Sequence, residues 1–147
     1  MKVSLNWKGA MEFAASSGEH SVTMDAATPL GHDKGMTPKE LVAVGLGGCT
    51  AMDVAALLKK HKQTVESFDM TVDIKKSSGG HPIVFSSATL TYLLKGNIDK
   101  EILIQSVTLS QTKYCGVSAM LSKALPITYK IVLNGEPIHE GRSHFGE

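Results

Sequence analysis

Arginine, cysteine and net charge are what this chain has least of. Fifteen Lys plus Arg stand against 14 Asp plus Glu, a formal net charge of +1. No basic field exists to grip a phosphate backbone, so a nucleic-acid partner is not expected. The opening residues, Met1 to Trp7, lack the apolar stretch of a secretion signal. A reducing cytoplasm is therefore the expected location, and a permanent disulfide is not expected there. No Cys-x-x-Cys occurs, and none of the six histidines, at 20, 32, 61, 81, 139 and 144, pairs with a cysteine at metal-ligand spacing. Neither a metal nor another cofactor is expected. Repeats, low-complexity tracts and linkers are absent too.

The 147 residues fit one domain, 1–147, with one core, and 42% hydrophobic and 20% charged residues are ordinary for a globular protein. The most membrane-like run, Leu41 to Leu58, carries Asp53 and three glycines. A charge there costs about 3 kcal/mol on insertion scales, so the run reads as a buried helix and no membrane partner is expected.

Val3 to Trp7, Met11 to Ala15 and Val22 to Met24 suggest two or three short antiparallel strands, followed by a loop from Asp25 to Met36. Thr37, Pro38 and Glu40 form a helix start, with a capping hydroxyl, a proline at the first helical position and a glutamate three residues after the cap. The helix is predicted from about Pro38 to His61, buried on most sides. Gly45, Gly47 and Gly48 each cost it about 1 kcal/mol relative to Ala, which implies that another backbone or a ligand comes close. Val65 to Lys76 and Ile83 to Lys95 read as a hairpin pair, with Phe68, Met70, Val72 and Ile74 facing the core. A second helix opens at Asn97 to Asp99 and a third covers Cys115 to Leu125. Pro126 to Leu133 reads as the last strand, Asn134-Gly135 closes it, and 136–147 reads as a loose polar tail. This order predicts an α+β fold, its helices packed on one face of a mostly antiparallel sheet.

Both cysteines, Cys49 and Cys115, fall at or near helices that read as buried, which suggests a redox pair. A thiol becomes nucleophilic when a cation or a helix N-terminus stabilises its thiolate. Cys49 is too deep in its helix for the dipole to help, and Asp53 one turn on would oppose ionisation if it faced the sulfur. A lysine is needed, with Lys8, Lys34 and Lys39 the plausible suppliers. Tyr114 and Met52 flank the thiols, and either core packing or an apolar substrate pocket explains them. The competing reading is that each cysteine is a small inert hydrophobe.

The stretches Gly-Gly-Cys49-Thr-Ala-Met-Asp-Val, preceded by Thr-Pro-Lys-Glu40-Leu-Val-Ala, and Lys-Tyr-Cys115-Gly-Val-Ser resemble the OsmC/Ohr family of osmotically inducible and organic-hydroperoxide-resistance proteins. The resemblance implies an intertwined homodimer in which a mostly antiparallel sheet wraps around a long central helix. It also implies a thiol peroxidase in the oxidative stress response. Cys49 would attack an organic hydroperoxide and become a sulfenic acid, Cys115 would resolve it to a disulfide, and an external dithiol reductant such as a lipoylated protein would reopen it. The family activates its thiolate with an N-terminal arginine held by a glutamate. This chain's only arginine is Arg142, which leaves Lys8 as the cationic substitute and Glu40 as the carboxylate. The alternative is a binding protein of the same fold, holding a small apolar or thiol-bearing ligand with little or no turnover.

Overall fold

A computed structural model of the chain describes residues 1–146. By internal contacts the chain divides into two compact units, Met1–Ala43 and Val44–Glu147. The first holds three strands, β1 (Ser4–Gly9), β2 (Glu12–Ser17) and β3 (His20–Met24), in an antiparallel sheet of order β1-β2-β3. Its turns use positive φ at Gly9, Ala10 and Gly18. Asp25 ends this sheet and organises the following loop: its carboxylate accepts the backbone N–H groups of Ala26, His32 and Lys34 at 2.8, 3.1 and 3.2 Å. Burial pushes the Asp25 pKa up, but the three N–H donors outweigh it and hold the carboxyl below its ordinary value.

The long helix α1 (Pro38–Lys60) begins in the first unit and runs into the second. Its predicted start is present: Glu40 Oε2 accepts from the Thr37 N–H at 2.7 Å and from the Thr37 hydroxyl at 3.0 Å, and Thr37 Oγ1 accepts from the Glu40 N–H at 3.3 Å. Burial on most sides, however, is not what the helix shows. Its buried residues in the second unit, Leu46, Gly47, Thr50, Val54 and Leu58, form one stripe at four-residue spacing. Val44 and Met52, on other faces, are exposed.

The second unit is a four-stranded sheet of order β4-β5-β6-β7, built from β4 (Thr64–Lys76), β5 (Phe85–Asn97), β6 (Ile127–Leu133) and β7 (Glu136–Arg142). β4–β5 and β6–β7 are antiparallel, whereas β5 and β6 run parallel. Parallel neighbours need a crossover, and here it carries α2 (Lys100–Leu109), a π turn (Ser110–Tyr114) and α3 (Gly116–Leu121). Leu46, Val54 and Leu58 of α1 join Leu90, Tyr92 and Leu94 of β5, Leu103 and Val107 of α2, and Ile127 and Ile131 of β6 in one core. Phe68, Met70, Val72 and Ile74 of β4 pack against it as the alternation predicts. At β4, Val72 Cγ2 would lie 2.7 Å from a Cβ at position 47, which explains Gly47 by close packing. Gly45 and Gly48 have no such neighbour within the chain.

The tail expected over 136–147 is corrected for its first seven residues, which form β7. Asn134 and Gly135 both take positive φ, 51° and 82°, and so turn the chain straight back onto β6. Pro137 and Gly141 in the segment hid the strand.

Candidate functional site

Cys49 stands near the middle of α1, one residue before the buried Thr50, and is itself half-buried. Cys115 is fully buried between the π turn and α3, where it caps α3: its sulfur accepts the Ser118 N–H at 3.3 Å. The two thiols are unbridged neighbours. Burial pushes the Cys115 thiol above its ordinary pKa. Ser118, through its hydroxyl and its N–H, offsets part of that rise, and hydrogen bonding and charge from Cys49 add to it. Cys115 is therefore held as a protonated thiol beside a more accessible partner. The Ser118 hydroxyl is buried near the Cys115 sulfur and makes no well-formed hydrogen bond of its own.

Of the other residues expected at the site, Lys8 lies exposed on β1 and Glu40 at the start of α1, both in the first unit. Glu40 is engaged in the capping box. Lys34 is paired with Glu12 at 2.8 Å, and that hydrogen bond and charge raise its pKa. Asp53 accepts the Ser110 hydroxyl at 2.9 Å. Tyr114 and Met52 are not packed in the core of this chain: they are 49% and 75% exposed, with Lys113 Nζ 5.5 Å from the Tyr114 ring centroid. Among the described residues, no group of three His, Cys, Asp or Glu is arranged to hold a metal ion.

Sequence reasoning missed the polar cluster behind the thiols. Thr50 Oγ1 lies 2.6 Å from Tyr92 OH and 2.7 Å from Ser110 Oγ, and accepts from Gln111 Nε2 at 2.8 Å. Gln111 Nε2 also donates to Tyr92 OH at 3.1 Å, and Ser143 Oγ donates to Gln111 Oε1. Thr50, Tyr92, Ser110 and Gln111 are all fully buried. Burial drives the Tyr92 pKa far above its ordinary value, so its phenol stays protonated. One signal was available: Thr50 is the polar member of the Leu46, Val54, Leu58 stripe, and a buried hydroxyl requires partners.

The family model described as OsmC-like protein matches residues 31–130. Protein YhfA of Escherichia coli K12 is 30% identical over 131 residues, 88% of this chain and 95% of that protein. A hypothetical protein from Aquifex aeolicus VF5 is 28% identical with a TM-score of 0.76, over 90% of this chain and 96% of its own. An organic hydroperoxide resistance protein from Elizabethkingia anophelis superposes with a TM-score of 0.65 over 91% of this chain and 97% of its own. At 15% identity it shares the fold alone. With that match across both cysteine motifs, and with two unbridged thiols meeting between a long helix and a crossover, the chain belongs to the OsmC-like protein family.

Proposed function

We propose that the protein is a thiol peroxidase for organic hydroperoxides, working in a reducing cytoplasm. The observation that carries this reading is the apposition of a half-buried thiol, Cys49, with a buried one, Cys115, unbridged and within interaction range. The Cys49 thiolate attacks the O–O bond, takes the hydroxyl oxygen as a sulfenic acid and expels an alkoxide, which leaves as the alcohol after taking a proton. Cys115 then attacks the Cys49 sulfur; a disulfide forms and the hydroxyl leaves as water with the Cys115 proton. An external dithiol opens the bridge by exchange and is itself oxidised. In this reading Lys8 supplies the positive charge for the Cys49 thiolate, and Glu40 orients it. Lysine is a point charge where arginine is a planar fork, so the thiolate is less firmly oriented.

The protein acts as a homodimer in this proposal. Exposed apolar side chains support it: Leu5, Trp7 and Phe13 in the first unit, and Met52 and Met120, at 75% and 66% exposure, in the second. The open positions beside Gly45 and Gly48 support it further, because glycines in a helix interior earn their place when another backbone approaches.

A binding role without turnover is favoured by a different observation. Leu5, Met11, Phe13, Met24, Ala26 and Pro38 line an apolar pocket of about 360 Å³ in the first unit, and no strand of that unit carries an arginine. One experiment separates the two readings: reduced protein is treated with cumene hydroperoxide and its intact mass followed. The enzyme loses two hydrogens with a Cys49–Cys115 linkage, Cys49→Ser does not react, and Cys115→Ser stops one oxygen heavier. Thiols that remain titratable after many equivalents refute the peroxidase.

A further inference from the structure

The polar cluster behind the thiols has one consistent arrangement of hydrogens. The Ser110 hydroxyl donates its single hydrogen to Asp53 Oδ2 at 2.9 Å. Thr50 must then donate to Ser110, and Tyr92 must donate to Thr50. Gln111 Nε2 spends its two hydrogens on Thr50 and Tyr92, and its carbonyl takes the Ser143 hydroxyl. Thr50 thus gives one hydrogen bond and receives two. Four fully buried side chains on α1, β5 and the π turn are locked by one another.

This cluster also closes a ring through the two sulfurs. Cys49 is joined to Thr50 by a peptide bond, and Thr50 Oγ1 meets Ser110 Oγ at 2.7 Å. The Ser110 carbonyl accepts the Cys115 N–H at 2.9 Å, and the Cys115 thiol lies within interaction range of Cys49. The widened π turn makes this possible, because its i to i+5 bond holds Cys115 while Ser110 and Gln111 both turn inward. We propose that Thr50 is a positioning residue, whose hydroxyl bolts α1 to the π turn and thereby sets how readily the Cys49 and Cys115 sulfurs join. The proposal rests on the thiol-pair reading above and concerns its second step, where Cys115–SH and Cys49–SOH yield the disulfide and water.

The test is the effective concentration of the pair, measured by equilibrating the whole protein with reduced and oxidised glutathione, then alkylating and weighing it. In that buffer, oxidised glutathione takes the two electrons of the dithiol and leaves as two reduced glutathiones. Thr50→Val keeps shape but deletes the hydroxyl, and the effective concentration should fall by about tenfold or more, since small misplacements of reacting atoms carry large penalties. Ser110→Ala breaks the same ring and should act likewise; it carries the test if Thr50→Val does not fold. Thr50→Ser should restore the wild-type value. Ser143→Ala removes a hydrogen bond of the same cluster outside the ring, and should lower the melting temperature while leaving the effective concentration unchanged. Folded Thr50→Val or Ser110→Ala protein with a wild-type value overturns the proposal, as does wild-type protein in which glutathione disulfide never joins Cys49 to Cys115. If glutathione joins them and hydroperoxides do not, the peroxidase reading fails, and the variants still decide the role of Thr50.

Discussion

Gly48→Ala and Gly45→Ala should have opposite effects on a lone chain and on a dimer. Both glycines are interior to α1, and a Cβ built at either meets nothing within 4 Å. For an isolated chain each substitution removes a penalty of about 1 kcal/mol. The double variant would then gain about 2 kcal/mol, roughly 4–8 °C in a domain of this size. If a second copy packs its backbone on this face, the same methyl groups overfill the contact at about 1–3 kcal/mol per site. Symmetry doubles that cost across a two-fold interface. The expected outcome is a weakened dimer: sedimentation equilibrium shifts toward monomer, and the melting temperature becomes more dependent on protein concentration. A double variant that melts several degrees higher with unchanged association would refute the assignment of this helix face to the interface.

Gly47→Ala places a methyl group 2.7 Å from Val72 Cγ2, and the stiff β-branched side chain has little room to yield. The cost of overpacking, about 1–3 kcal/mol, should exceed the gain in helix propensity, and denaturant melts should show net destabilisation. Cys115 is held above the ordinary range of a thiol, chiefly by burial. Its contribution is present below the unfolded pKa and is lost as pH rises through the folded one, because the unfolded state sheds its proton first. Stability should therefore decline above about pH 9, and Cys115→Ala should flatten that decline in urea melts taken across alkaline pH. Disulfide closure from the Cys49 sulfenic acid, timed by dimedone trapping, should accelerate as pH rises toward the Cys115 pKa. Ser118→Ala should slow it most near neutrality; equal closure at every pH would remove Ser118 from the chemistry. Asp25 behaves in the opposite sense: its depressed pKa gives stability above the unfolded value that is lost as pH falls through the folded one. Asp25→Asn should blunt the acid-side loss in melts below pH 4.

Local signals predicted the elements that local physics makes. The capping box of Thr37 and Glu40 sits where the hydroxyl and carboxylate spacing put it, and the alternation from Phe68 to Ile74 gave the inward face of β4. What escaped notice depends on distant partners. β7 is a strand because the Asn134-Gly135 turn delivers it to β6, although its own residues have poor strand propensity. The π turn leaves no mark on periodicity, since one extra residue in a helix looks like a fraying end. The cysteines stood out by composition, while Thr50, Tyr92, Ser110 and Gln111 are ordinary residues whose importance is visible only once α1, β5 and the crossover meet.

β5 and β6 lie side by side and point the same way, although two helices and a turn separate them along the chain. Such a pairing closes a long loop before it returns any contact energy, and so forms slowly. Cys115 rides on that loop. On a ribosome, the emerging polypeptide would hold two independent sulfhydryls until the crossover docks, so oxidants reaching it early would find ordinary thiols and no rapid closure.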